Sequence, residues 1–243
     1  MIKEQKTKIN KKNKTKNFIK KQKNFILMQD KKFEREILVV PRKILFREKK
    51  FQGFLNFKEY NYIPTVLKNS MWIKRKKAEF NPYYQQIIPY GVIVDTKSKS
   101  VFVYKRSSSN GYSERRLYNK ISLGVGGHIE KKDLKCNIKK SGRNVFECCL
   151  LREIREELNI SKKLNLLTFG FIKLEDTSID KDHFGIVYLI ELPKSKIILN
   201  KSEIASGEFL SLEKLYSLRK FAEGWTRALI KPLFDYYKKR KNN

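Results

Sequence analysis

The chain has 243 residues, enough for one domain with a sizeable core plus extensions, and its 40% hydrophobic content argues against disorder throughout. No apolar run approaches the roughly 18 to 20 residues that span a bilayer, and residues 1–30 hold neither an apolar secretory core nor the Arg and Ser of a transit segment, so the sequence argues against a membrane or exported protein and for a cytoplasmic one. Fifty-five Lys+Arg against 25 Asp+Glu leave a net charge of +30, which suits a polyanion partner such as RNA, DNA or a ribosome; the joint abundance of Lys, Asn and Ile, as an A+T-rich genome produces, explains it about equally well.

Residues 1–34 carry twelve lysines and three acids with little apolar periodicity, and are expected to be a disordered or loosely helical basic tail. Residues 35–85 read as an N-terminal extension or small subdomain. Ile37–Val40 is a short strand ended by Pro41. Phe54, Phe57, Tyr60 and Tyr62, near Lys58, Lys68, Lys74, Arg75, Lys76 and Lys77, form either a core or a base-stacking surface, and burial is favoured because aromatics usually dominate cores. From residue 86 a catalytic-type domain is expected to run to 238, with a basic tail at 239–243. Gln86–Asp95 and Val101–Tyr104 form a hairpin about the turn Thr96–Lys99. A polar loop, Ser107–Arg116, follows its exit.

Ile121–Leu123 leads into a glycine turn, Gly124–Gly127, and then a lysine-rich stretch, Lys131–Arg143, expected at the surface. Next comes a helix that Asn144 can cap, with Glu147 completing a capping box. Beyond it lie strands at Leu164–Leu174, interrupted by Gly170, and at His183–Leu192. At the start of the second, a turn-capping Asp182 beside a surface His183 is favoured over a general base. An amphipathic stretch at Leu212–Leu215 precedes a helix at Phe221–Lys239 that Pro232 is expected to kink. The order predicts α+β or α/β architecture with a mixed sheet between helices. The cysteines, Cys136, Cys148 and Cys149, are odd in number with two adjacent, and read as free thiols in a reducing compartment. With only two histidines, structural zinc is not expected.

The capped helix concentrates the chemistry. Glu153, Glu156 and Glu157, at i, i+3 and i+4, share an arc of about 100°, beside an apolar stripe of Leu151, Ile154 and Leu158. Solvated like charges so spaced repel by a few tenths of a kcal/mol per pair. A hard divalent cation among them removes that cost, because Mg²⁺ takes oxygen ligands. An acidic string alone is usually just a solvated face; the glycine turn upstream shifts the balance.

Gly126-Gly127-His128-Ile129-Glu130 and Arg152-Glu153-Ile154-Arg155-Glu156-Glu157-Leu158-Asn159-Ile160 resemble the Nudix hydrolase signature, G-x5-E-x7-R-E-U-x-E-E-x-G-U, with U a bulky aliphatic and Asn159 replacing glycine. The likeness extends over about Gln86 to Asp235. Two departures stand out. The stretch from Gly127 to Arg152 is longer by about eleven residues, and the first glutamate, counted back from the arginine, is Asn144, with Glu130 and Glu147 as the alternative acids.

The resemblance implies a Nudix-like α/β/α sandwich and hydrolysis of the pyrophosphate linkage of a nucleoside diphosphate joined to another moiety. It implies Mg²⁺, with Mn²⁺ as the alternative, held by Glu153, Glu156, Glu157 and the Gly126 carbonyl. Arg152 would orient the acidic helix by ion pairing. Arg106, Arg115 and Arg116 become candidate phosphate or base contacts, and Glu208 a candidate extra acid. The competing readings are a hydrolase of RNA 5′ ends, with lysines holding the chain, and a non-catalytic nucleic-acid-binding module on the same scaffold.

Overall fold

The computed structural model describes residues 31–106, 120–136, 142–161, 163–193, 197 and 204–240. Most of the basic tail and the polar loop after the hairpin therefore lie outside the described residues. Among the described residues ten strands form one mixed sheet. They are β1 (Glu36–Pro41), β2 (Gly53–Asn56), β3 (Met71–Lys74), β4 (Tyr84–Asp95), β5 (Ser100–Arg106), β6 (Ile121–Ser122), β7 (Gly124–Gly126), β8 (Leu166–Lys173), β9 (His183–Glu191) and β10 (Ile204–Ser211). The main path runs β10-β5-β4-β9-β8-β2. β4 and β9 pair in parallel, Gln86 opposite His183 and Val94 opposite Glu191; the other neighbours on the path are antiparallel. β1 joins the start of β4 and also pairs with β3, and β7 lies against Tyr90–Val92 of β4.

The sheet is covered on both faces, which is why β4 and β9 are apolar almost throughout. On one side Ile87, Ile93, Phe102, Ile186 and Ile190 pack with α4 (Val145–Leu158). On the other, Tyr90, Val92, Val94 and Val187 pack with α6 (Leu212–Ser217) and α7 (Gly224–Lys239). Alternate residues of one strand serve opposite layers, as the pleat requires. The result is the α/β/α arrangement that the resemblance implied. The shorter helices are α1 (Arg42–Leu45), α2 (Ile63–Asn69), α3 (Arg75–Ala78) and α5 (Ser178–Asp182). Among the described residues no helix is long and apolar enough to cross a membrane.

Residues 36–56 add strands to this same sheet rather than standing apart. Tyr62 is fully buried and meets Phe46, Phe171 and Phe184 edge to face, while Phe54 packs on Phe169. These aromatics complete a core. Gly170 does not interrupt β8; it sits at a register shift against β9 and the strand runs on. α7 likewise continues through Pro232 to Lys239.

The cysteine reading is corrected. Cys136 and Cys148 form a disulfide, with Cα atoms 6.0 Å apart, and only Cys149 is free, buried against the carbonyls of Gly127 and His128. The adjacent pair does not bond to itself. The insertion returns Cys136 to the side of α4, a proximity that linear spacing does not disclose. His183 is corrected as well: it is 8% exposed, not a surface residue.

Candidate active site

The acidic helix is held at both ends. Asn144 accepts from the Glu147 amide at 3.0 Å while Glu147 accepts from the Asn144 amide at 3.2 Å, a complete capping box. Asn159 closes the helix in the left-handed region, φ 52°, which Asn tolerates in place of glycine. Buried Ile154 and Leu158 anchor the inner face.

Arg152 is the hub. Its Nε and Nη2 donate to the two Asp133 carboxylate oxygens at 2.6 and 3.1 Å, a bidentate fork. Nη1 reaches Glu153 at 2.6 Å and Glu156 at 3.2 Å, and Nη2 also reaches the His128 carbonyl at 3.2 Å. Burial by itself would ease the proton off this guanidinium; Asp133 and Glu153 outweigh it and hold Arg152 firmly charged. Asp133 comes from a 3₁₀ turn, Lys131–Lys135, and its side chain is 2% exposed. Asp133 is the acid from this turn that pairs with Arg152. Glu130 instead pairs with Arg35 and Lys132, and Glu147 caps α4.

The glycine turn lies directly over the acidic face. A Cβ on Gly127 would come within 2.3 Å of Glu153 Oε1, and one on Gly126 within 2.1 Å of the Pro89 carbonyl oxygen. Only glycine lets carboxylate and backbone approach so closely. Gly126, Gly127, Arg152, Glu153, Glu156 and Glu157 all line one cavity of about 710 Å³, within the range of about 300–1,000 Å³ typical of small-molecule sites.

Glu157 is buried, whereas the Glu156 side chain is 53% exposed. The donors are carboxylates and a backbone carbonyl, the all-oxygen set that Mg²⁺ or Mn²⁺ prefers. No three acids among the described residues are gathered around a point as they stand, since Glu153 and Glu156 lean on Arg152; half-exposed Glu156 is the one with room to turn. The donor chemistry fits the ion.

Two histidines sit in the same cavity. His183 Nδ1 lies 2.7 Å from the Ile179 carbonyl and so donates to it. Its Nε2 is then the acceptor facing His128 Nε2 at 3.3 Å, which also lies 2.7 Å from Gln86 Oε1. One arrangement satisfies all three contacts: the His128 proton is on Nε2, shared between Gln86 and His183. Burial, reinforced by Arg75, pushes the His128 pKa well down and keeps its ring neutral.

Lys173 shapes the neighbouring wall. It is 1% exposed and donates to the carbonyls of Leu174, Asp180 and Lys181 at 2.6–2.9 Å, tying down the loop that brings Thr177, Ile179 and Asp180 to the cavity. Burial lowers its pKa to about 8. The unfolded chain, titrating near 10.4, then holds a proton that the folded chain has lost. This group therefore adds stability as pH rises from about 8 toward 10.4. Lys173→Met is expected to cost about 1–3 kcal/mol by leaving buried carbonyls without their donor, and its deficit against wild type should widen between pH 8 and 10. Urea unfolding at several pH values checks both; a gap that stays constant or narrows contradicts the assignment.

Of the residues singled out in the sequence, Gly126, Arg152, Glu153, Glu156 and Glu157 come together. Glu208 sits exposed on β10 opposite Val103 and does not line the cavity. Arg106 closes β5, but its side chain, like Arg115 and Arg116 altogether, lies outside the described residues. Asp182 accepts from the Phe80 amide at 2.7 Å. Sequence reasoning missed Asp133, although Gly127-x5-Asp133 keeps the motif's own spacing from the glycine. It also gave no role to His128 or Trp225.

Comparison with known proteins bears on the family and the fold of the chain. A family model described as NUDIX domain matches residues 87–231. Protein YmaB of Bacillus subtilis (strain 168) is 30% identical over 193 residues, covering 76% of this chain and 89% of its own length. The crystal structure of Tm1382, described as a candidate Nudix hydrolase, superposes with a TM-score of 0.64 at 25% identity, over 83% of this chain and 99% of that one. DR0079 from Deinococcus radiodurans aligns over 75% of this chain and 98% of its own, at 19% identity and a TM-score of 0.49.

Proposed function

Because this chain belongs to the NUDIX family of pyrophosphohydrolases, we propose that it cleaves, with Mg²⁺, the pyrophosphate linkage of a nucleoside diphosphate joined to another moiety. The observation that carries this reading is the acidic face of α4, Glu153, Glu156 and Glu157, opening into the cavity beneath Gly126 and Gly127. These glutamates and the Gly126 carbonyl would hold the ion, with Mn²⁺ as the alternative. When bound, such an ion neutralises phosphoryl oxygens and lowers the pKa of a coordinated water.

The chain's own residues do the rest by positioning. Arg152, fixed by Asp133, sets the orientation of Glu153 and Glu156 relative to the glycine turn. Trp225 lines the cavity and stands edge to face with Tyr90 at 5.3 Å, offering a rigid aromatic surface for a nucleobase. The basic exterior draws polyphosphates toward the acidic centre.

The test is release of phosphate or nucleotide from nucleoside triphosphates, dinucleoside polyphosphates, nucleotide sugars and triphosphorylated RNA, with Mg²⁺ and with chelator. Release that requires Mg²⁺ is expected from at least one class. No release from any, with tight and salt-sensitive RNA binding, would overturn the hydrolase reading in favour of a binding module.

A further inference from the structure

The cavity has a second wall of opposite character. Lys32, Arg35 and Arg75 line it, all from residues that precede the family-matched span, and Lys132 stands beside them. The register Glu36–Lys74 between β1 and β3, with the Arg75 amide donating to the Arg35 carbonyl at 2.8 Å, makes the two arginines neighbours. Glu79 takes Arg75 through Nε at 3.2 Å, and the Phe33 ring lies 5.5 Å from its guanidinium carbon. Glu130 is shared between Arg35 at 2.9 Å and Lys132 at 3.4 Å. Cations thus outnumber carboxylates on this wall. Lys132 also lies 3.9 Å from Glu156, so the basic wall abuts the acidic face directly. A cleft with carboxylates at one place and converging guanidinium groups beside them suits a ligand with anionic oxygens at two positions, one group for the metal and one for the arginines.

We infer that Lys32, Arg35 and Arg75 form a subsite for a second phosphoryl group, so that this enzyme prefers nucleotides whose far end is a phosphate over those ending in a neutral sugar. This rests on the pyrophosphohydrolase reading for its substrate class, and the N-terminal strands are what supply the preference.

Two measurements on the full chain separate the claims. In turnover assays with Mg²⁺, the ratio of kcat/KM for a nucleoside triphosphate to that for a nucleotide sugar of the same base is expected to fall about tenfold or more in the Arg35→Gln, Arg75→Gln double variant, the weight of one or two charged hydrogen bonds. An unchanged ratio overturns the subsite. Independently, inorganic pyrophosphate is titrated calorimetrically into metal-free protein, where the carboxylates repel it and the basic wall attracts it together with Lys120 and Arg227, which the variants leave untouched. The double variant should bind about tenfold more weakly or worse, and Arg35→Lys, Arg75→Lys, which keeps both charges, should lose less. If the Gln variant does not fold, Lys32→Ala serves for both readouts. Equal binding by wild type and variant, or none by wild type, overturns the inference. Pyrophosphate binding that follows the variants, with no hydrolysis of any substrate, would leave the subsite standing and remove the enzymatic reading instead.

Discussion

Glu156→Gln and Glu157→Gln are each expected to reduce Mg²⁺-dependent hydrolysis by about a hundredfold or more while leaving the fold intact. Both substitutions keep side-chain volume and remove only the charge. They act in different surroundings. Glu157 is 6% exposed, while the Glu156 side chain is 53% exposed and shares Arg152 with Glu153. Unchanged circular dichroism with lost turnover at saturating Mg²⁺ is the predicted pattern. Near-wild-type turnover in both variants would sink the assignment of this helix face.

The second large effect belongs to Arg152→Ala. Removing the guanidinium leaves Asp133, whose side chain is 2% exposed, without its two charged donors and with the Glu130 amide at 2.9 Å. Breaking one side of such a buried pair typically costs about 3–5 kcal/mol. In a chain of this size that lowers Tm by roughly 10 °C. Activity should fall as well, since Glu153 and Glu156 lose their common partner. Asp133→Asn should destabilise less, because an amide oxygen at the Oδ2 position still accepts from Arg152 Nη2 and from the Glu130 amide, while only the bond from Arg152 Nε is lost, its place taken by the amide NH2. In a double-mutant cycle with alanine at both positions, the combined loss should be smaller than the sum of the single losses. Full additivity would show that the two side chains do not depend on one another.

The architecture and the acidic helix were legible because they rest on local rules. A capping box, an apolar stripe and three glutamates at helical spacing are all fixed within about fifteen residues, and the hairpin at 86–104 is equally local. The features that sequence did not yield are contacts across the chain. Asp133 meets Arg152 from nineteen positions away, and Cys136 meets Cys148 across a stretch that periodicity cannot interpret. Counting back from the arginine led to Asn144; counting forward from Gly127 leads to Asp133. The two directions disagree because the insertion lies between them, and only the fold decides which end carries the partner. His183 looked like a surface residue because its neighbours are turn formers, yet the parallel pairing of β4 and β9 sets it opposite Gln86 inside the cavity.

The disulfide gives the insertion a shortcut. Cys136 follows Asp133 by three positions and Cys148 precedes Arg152 by four. Traced through the sulfurs, the covalent route from acid to arginine is about as short as the one the uninterrupted signature follows through the main chain. The residues between Cys136 and Cys148 are bypassed by that route. Their number and composition can therefore drift without lengthening the tether between Asp133 and Arg152, and a motif that looks broken when read along the backbone is whole when read along the bonds.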